Sequence, residues 1–246
     1  MLNQFSRSEL VFGKNYTDKL NDKVVAVFGL GGVGGNVCDA LARSGITSFV
    51  LIDNDKVSLT NINRQLIANL NTIGRNKVDV MEEHLKSINK DIKVIKHCVF
   101  YLPGNADQFD FSKYDYVVDA IDTVSAKIDI ISKCKSIGTP VISSLGCGNK
   151  VDPTKLQITD LSKTSYDPLA KVMRYELRKR NINHVKVVCS NEQPVEVDQE
   201  LLEKALQLED SKKKSIPGST AFVPPVAGIL IASEVIKDLV TCSHHL

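Results

Sequence analysis

The sequence has no CxxC pair, no long apolar run and almost no net charge, and each lack excludes something. Its six cysteines stand at positions 38, 98, 134, 147, 189 and 242, with no two close together. An all-cysteine zinc site needs short ligand spacing, and a disulfide framework belongs to much shorter secreted chains. Reduced thiols in a cytosolic protein fit instead, so a cytoplasmic location is expected. The N-terminus, MLNQFSRSELVFGK, lacks the apolar segment of a signal peptide. The longest apolar stretch, residues 221–232, runs into Ser233 and Glu234 and is too short to span a bilayer. With a net charge of +2, no bulk field draws the chain to nucleic acid or membrane, and any such contact must come from a local patch. Glycine and proline number only 14 and 8, which excludes collagen-like and low-complexity chains. No internal repeat is present.

What is there is enough for a full core. Across 246 residues, 43% are hydrophobic and 24% charged, and a chain of this length can bury about 70–75% of its unfolded surface. VVAVFGL (24–30) is a continuous β-branched run, as expected of a strand covered on both faces. A helix is predicted over 36–43, closed by Ser44-Gly45, and a strand over SFVLID (48–53). A second helix is predicted over 76–89, with Val78, Met81, Leu85 and Ile88 at helical spacing. DIKVIKHCVF and YDYVVDAI supply a third and a fourth strand, 125–136 a helix, and PVISS (140–144) a fifth strand.

Beyond Lys150 the rhythm changes. LQITDLSKT reads as an added or edge strand, 168–180 as a helix and HVKVVCS as a short strand. A helix over 198–208 is expected to start at Asp198 as N-cap and to turn Leu201, Leu202 and Leu206 inward. The last element, 226–239, is apolar enough to pack back on the sheet. The fold class is therefore α/β: a Rossmann-like doubly wound, mostly parallel sheet with a C-terminal extension packing on the same sheet. The expected organisation is an N-terminal arm over 1–23, a nucleotide-binding core over 24–149 and a C-terminal part over 150–246. Within the last, 191–215 is a candidate mobile segment.

Charge in that C-terminal part is uneven. Residues 150–190 carry nine Lys or Arg against four acids, and 191–210 carry seven acids against one lysine. Two solvated faces account for this; the sharper alternative is a basic helical face of Lys171, Arg174, Arg178, Lys179 and Arg180, complemented by Lys212, Lys213 and Lys214, meeting a phosphate backbone.

GLGGVGG (29–35) holds G-x-G-x-x-G at Gly29, Gly31 and Gly34, between a predicted strand and a predicted helix. The first glycine permits a tight turn, the second lets backbone approach a phosphate, and the third permits close helix–strand packing at a helix N-terminus. Asp53, closing the second strand, can accept hydrogen bonds from a ribose. Which nucleotide is a separate question. DNDKVSLTNINRQ followed by NKVDV places Asn61, Arg64, Gln65 and Lys77 just beyond the strand ends, and two cations beside a phosphate loop suit charge developing on a phosphoryl group better than a nicotinamide site. Asp122, just after a buried strand, could ligate magnesium carried by a triphosphate. Asp119, nearer the strand interior, could cap a helix or hold a loop.

Together GLGGVGG, the acid-x-acid pair in LIDNDKV, NINRQ, NKV and VVDAIDT resemble the ubiquitin-activating-enzyme-like adenylyltransferases. SSLGCGNKVDPTKLQITDLSKTSYDPLAKVMR and PGSTAFVPPVAGILIASEVIK resemble in particular the branch of the tRNA threonylcarbamoyladenosine dehydratases. The resemblance implies an enzyme that adenylates a carboxylate with ATP and Mg2+, releasing pyrophosphate and then AMP as the modified adenosine cyclises in tRNA. It implies the phosphate loop on Gly29, Gly31, Gly32 and Gly34, ribose on Asp53, phosphate contacts from Asn61, Arg64 and Lys77, a further nucleotide contact from Gln65, and magnesium on Asp122. It also implies that Arg7 reaches the triphosphate from the partner subunit of a homodimer. A sulfur-acceptor protein of a cysteine-desulfurase system is a candidate partner. Activators of small sulfur carriers, the alternative within the same superfamily, usually carry two zinc-binding CxxC pairs, which are missing here. Cys147 and Cys189 are the candidate thiols of thioester-forming relatives, but free cysteines in strands are more often small core hydrophobes.

Overall fold

The computed structural model describes residues 3–208 and 216–241; Lys212, Lys213, Lys214, part of the 191–215 segment and Cys242 lie outside the described residues. A short helix α1 (Ser6–Phe12) precedes a seven-stranded sheet in the order β3-β2-β1-β4-β5-β7-β6. The strands are β1 (Val24–Phe28), β2 (Ser48–Ile52), β3 (Lys93–His97), β4 (Tyr116–Asp119), β5 (Val141–Ser144), β6 (Leu156–Asp160) and β7 (Lys186–Ser190). All neighbours run parallel except the β6–β7 pair, which is antiparallel. The C-terminal part thus extends the same sheet, as the sequence leads one to expect.

Strands β1, β4 and β5 are buried almost along their whole length because both faces are covered, and β1 is apolar throughout. On one face lie α2 (Gly34–Arg43), α3 (Lys77–Ile88) and α7 (Val223–Thr241), packed on Val25, Val27, Leu51 and Val118. On the other lie α4 (Val124–Ile137) and α5 (Pro168–Arg178), with an aromatic cluster of Phe28 from β1 and Tyr101, Phe109 and Phe111 from the segment before β4. Helix α6 (Gln199–Leu208) is capped by Asp198, whose carboxylate accepts from the Leu201 N–H at 3.1 Å. One expectation for that helix fails: Leu201 is 63% exposed, while Leu202 and Leu206 are half-buried. Among the described residues little packs over the Leu201 side.

After β1 and β2 the chain reaches β3 at one edge, then crosses back to place β4 on the other side of β1. That reversal opens a crevice at the carboxyl ends of β1 and β4, where ligands of such sheets bind.

Candidate active site

The crevice is a cavity of about 540 Å³. Its floor is the glycine loop. Gly29 takes φ +88, and a Cβ there would stand 2.6 Å from the Ala120 carbonyl oxygen. At Gly34 a Cβ would fall 1.8 Å from the Gly29 oxygen, so helix α2 can start against the strand end only without a side chain. Gly31 differs: a Cβ there would meet nothing nearer than Gln65 Nε2 at 3.9 Å. The fold has room at this position, and what a side chain would fill is the cradle itself. Helix α2 begins at Gly34, two residues earlier than the pattern of apolar residues indicates, which brings its N–H groups against the cavity.

Asp53 lies just past β2 and organises this loop. Its Oδ2 accepts from the Leu30 N–H at 2.7 Å and its Oδ1 from the Asp55 N–H at 2.8 Å. Burial pushes its carboxyl above the usual range, with Lys77 and the two N–H groups opposing. Lys77, the first residue of α3, is 4% exposed and donates to Asp55 Oδ2 at 2.7 Å. Arg64 is half-buried on the cavity wall, its Nη1 bound to the Thr60 carbonyl and Asn63 Oδ1, both at 2.9 Å. Asn61 is buried and accepts from the Ser58 N–H at 3.1 Å, closing the 3-10 turn that carries Arg64. Gln65 is 6% exposed and its Oε1 has no hydrogen-bond partner among the described residues. Such an orphaned acceptor lining a cavity suits a ligand donor.

On the other side of β1, Asp119 and Asp122 separate cleanly. Asp119 is fully buried: Lys127 Nζ donates to its Oδ1 at 3.0 Å and Ser143 Oγ to its Oδ2 at 2.6 Å. Lys127 also donates to the Ile121 carbonyl at 2.9 Å. The pair holds the 120–123 loop, the second of the two roles open to Asp119. Asp122, three residues beyond the end of β4, is exposed, lines the cavity and has no ion pair or hydrogen bond among the described residues. Sequence reasoning missed Lys127; the signal was a lysine set in the apolar run Ala126–Ile128.

Gly29, Gly31, Gly32, Asp53, Asn61, Arg64, Gln65, Lys77 and Asp122 therefore all line one cavity, with Gly34 directly beneath. Arg7 does not: it stands exposed on α1, outside the lining residues. The wall facing the glycine loop is built by Leu145, Cys147 and Gly148, by Leu169 at the start of α5, and by Pro217–Ser219. The Asn149 and Gly218 backbones are joined by two hydrogen bonds, one through the Asn149 side chain, at 2.8 and 2.6 Å. Cys147 lines the cavity, but burial pushes its thiol up to about 11; Cys189 is buried and raised likewise.

The expected basic face of α5 is thinner than its composition. Arg174 turns inward and donates to the Thr164 carbonyl at 3.1 Å and to the Thr164 hydroxyl. Lys179 and Arg180 both pair with Glu176, at 2.9 and 3.0 Å. A carboxylate one turn away captures them more readily than solvent does. Lys171 and Arg178 alone of the five are exposed with no hydrogen bond or ion pair among the described residues.

The fold recurs in proteins of known structure, and the sequence has close relatives. The chain is 44% identical over 242 residues to the tRNA threonylcarbamoyladenosine dehydratase of Bacillus subtilis, covering 97% of this chain and 95% of that one. It superposes on the Escherichia coli tRNA N6-threonylcarbamoyladenosine dehydratase, TcdA, in complex with AMP, with a TM-score of 0.86 at 31% identity, over 99% of this chain and 96% of that chain. The same E. coli protein in complex with ATP gives 0.85 at 31% identity, over 98% and 95%. The family model of the ThiF family matches residues 5–246, nearly the whole chain, and the chain belongs to that family.

Proposed function

We propose that the chain catalyses the ATP-dependent dehydration of threonylcarbamoyladenosine in tRNA. The observation that carries this reading is the convergence of the glycine loop, Asp53, Arg64, Lys77 and Asp122 on one cavity, in a chain aligned with dehydratases over nearly its whole length.

The reaction has two bond exchanges. A substrate carboxylate oxygen attacks the α-phosphorus of ATP, a consumed co-substrate, and pyrophosphate leaves. An internal nitrogen of the modified adenosine then attacks the activated carbonyl carbon, loses its proton, and AMP leaves as the ring closes. Backbone N–H groups at Gly31, Gly32 and the start of α2 receive phosphate oxygens. Arg64 and Lys77 offset charge as it builds on them, and positioning with electrostatics supplies most of the rate in such transfers. Asp53 keeps lone pairs free for ribose hydroxyls, since each oxygen accepts only one N–H. Asn61 holds the turn that presents Arg64, and Gln65 Oε1 takes a donor from the nucleotide.

Asp122 would hold magnesium. Among the described residues no group of three or more His, Cys, Asp or Glu could enclose a metal. A single open carboxylate suits Mg2+, which keeps its waters and takes its other ligands from phosphates. When bound, the ion supplies charge neutralisation on the phosphate oxygens.

No enzyme nucleophile is required, which agrees with the raised thiol of Cys147. Arg7 enters from a second copy: α1 buries none of its residues and leaves Leu10 and Val11 open, 87% and 79% exposed, a surface that favours a partner. A tRNA substrate puts the reaction in the cytoplasm.

Incubation with the modified tRNA, ATP and magnesium should yield AMP and a nucleoside lighter by one water. Folded, ATP-binding protein that gives no such product, or pyrophosphate exchange that depends on a small carrier protein and ignores tRNA, would overturn the reading.

A further inference from the structure

Asp167 ties the start of α5 to the cavity wall. Its Oδ1 accepts from the Leu169 and Ala170 N–H groups at 2.9 and 3.2 Å, capping the helix. Its Oδ2 accepts from the Gly146 N–H at 3.1 Å, between Leu145 and Cys147 of the wall. Tyr166, immediately before the cap, takes φ +58 and is 62% exposed. A tyrosine in the left-handed region is uncommon and is held by what surrounds it. Arg174 braces that turn from beneath through Thr164. The ring therefore stands in solvent on a fixed backbone, next to the residue that ties α5 to the cavity wall.

From there α5 leads away from the cavity. Ala170, Met173 and Leu177 are buried against the sheet. The opposite stripe, Lys171, Val172, Tyr175 and Arg178, is exposed at helical spacing. Tyr175 is 64% exposed and Lys179 Nζ lies 4.0 Å from its ring centroid. Lys171 and Arg178, unpaired among the described residues, stand about 10 Å apart along the axis at 1.5 Å per residue. An apolar protein surface would leave these two cations desolvated and unpaired. Bases beside phosphates complement both the rings and the charges.

We propose that Tyr166 and the Lys171–Val172–Tyr175–Arg178 stripe of α5 form a track for unpaired nucleotides flanking the modified adenosine. The inference rests on the reading above, that RNA carries the substrate carboxylate. The nucleoside must leave its stack to enter the cavity. Its neighbours then expose their faces, which aromatic side chains take up, whereas a paired A-form helix hides them. Tyr166 stacks the base nearest the cavity, Tyr175 one further out, Lys171 meets the phosphate between them and Arg178 one beyond.

The test uses the whole chain with modified tRNA titrated across a salt series. The variants are Tyr166→Ala with Tyr175→Ala, Lys171→Glu with Arg178→Glu, and a charge-matched control, Lys90→Glu with Lys237→Glu, on the α3 and α7 side of the sheet. Removing the tyrosines should weaken binding about tenfold to a hundredfold with the salt slope kept, and Tyr166→Phe with Tyr175→Phe should restore it. Reversing the α5 cations should weaken binding and flatten the slope by about 1–2. The control should change the slope less, and ATP affinity should hold throughout. If wild type dehydrates tRNA and these variants bind it with unchanged affinity and slope, the track is wrong and the proposed function stands. A fully paired RNA duplex that competes as well as a single-stranded loop also overturns it. Wild type that neither binds nor cyclises tRNA removes the function and the track together.

Discussion

Lys77 Nζ sits 2.7 Å from Asp55 Oδ2 and 4.0 Å from Asp53 Oδ2, so the more buried of the two cavity cations is held between carboxylates before any phosphate arrives. Asp55 is open, its side chain 58% exposed, and can release the lysine at little cost. Lys77→Met should slow AMP formation about 10²–10³-fold, the loss seen when one preorganised transition-state donor is removed. Turnover should fall more than ATP affinity. Asp55→Asn should leave ATP binding as tight as in wild type or tighter. Wild-type turnover in Lys77→Met, measured by AMP release, would take Lys77 out of the reaction.

Asp119 and Asp122 share one segment and should respond in opposite ways. Lys127→Met strands a fully buried Asp119 and should cost about 3–5 kcal/mol of stability, read as a lowered urea midpoint. Asp122→Asn alters an exposed side chain and should change stability by less than about 0.5 kcal/mol. Yet AMP formation by Asp122→Asn should need far more magnesium than wild type, while chelation by EDTA should stop both. Equal magnesium curves for the two proteins would free Asp122 of the ion.

Two glycines of the loop make a second contrast. Gly34→Ala places a methyl 1.8 Å from a backbone oxygen and should prevent α2 from seating, so the protein should lose its cooperative unfolding transition or much of its stability. Gly31→Ala meets no atom closer than 3.9 Å. It should fold with a near-native melting temperature while ATP affinity drops at least tenfold in a binding titration. Full affinity in Gly31→Ala would mean that the phosphates lie elsewhere.

The doubly wound core was legible because its signals are local. Val24–Phe28 is apolar throughout since both of its faces are covered, and the glycines mark the one turn where a helix must start against a strand end. The first-half site was legible for the same reason: Asp53, Arg64, Lys77 and Asp122 lie just beyond strand ends or at a helix start, and the switch point gathers those positions. What stayed hidden depends on pairing across the sequence. Arg174 reads as a surface cation until its partner Thr164 is seen, and Lys127 as a helix lysine until Asp119 and Ser143 close over it. Leu201 obeys the helical spacing but is left largely uncovered by the described residues. The far wall of the cavity joins Cys147 to Pro217, seventy residues apart in chain order, through backbone contacts that no motif carries.

Neither Cys147, which lines the cavity, nor Cys189 has the character of a nucleophile. Burial pushes Cys147 up to about 11 and raises Cys189, and no cation close by reverses it. Cys147→Ala and Cys189→Ala should each keep AMP formation and ring closure within about threefold of wild type, because the thiolate is the reactive form and is scarce at neutral pH. A variant that adenylates its substrate but cannot close the ring would instead reveal a thioester on that cysteine.

Asp53 gives a prediction in pH. Burial raises its carboxyl in the folded state above the ordinary value of 3.8, so the folded chain binds that proton more tightly than the unfolded one. The resulting stabilisation is complete below the unfolded pKa and is lost as pH rises through the folded one. At neutral pH an ionised Asp53 therefore costs stability while it holds the Leu30 N–H of the glycine loop. Asparagine at this position cannot ionise and keeps one acceptor oxygen. Relative to wild type, Asp53→Asn should gain stability as pH rises from the ordinary value of 3.8 through the raised folded one, followed by urea midpoints across that range. The same substitution should weaken ATP binding at neutral pH, since only the carboxylate can serve the loop and a ribose with both oxygens. A stability difference that stays constant across the range would show that Asp53 titrates as it does in the unfolded chain, and the buried charge would then need another account.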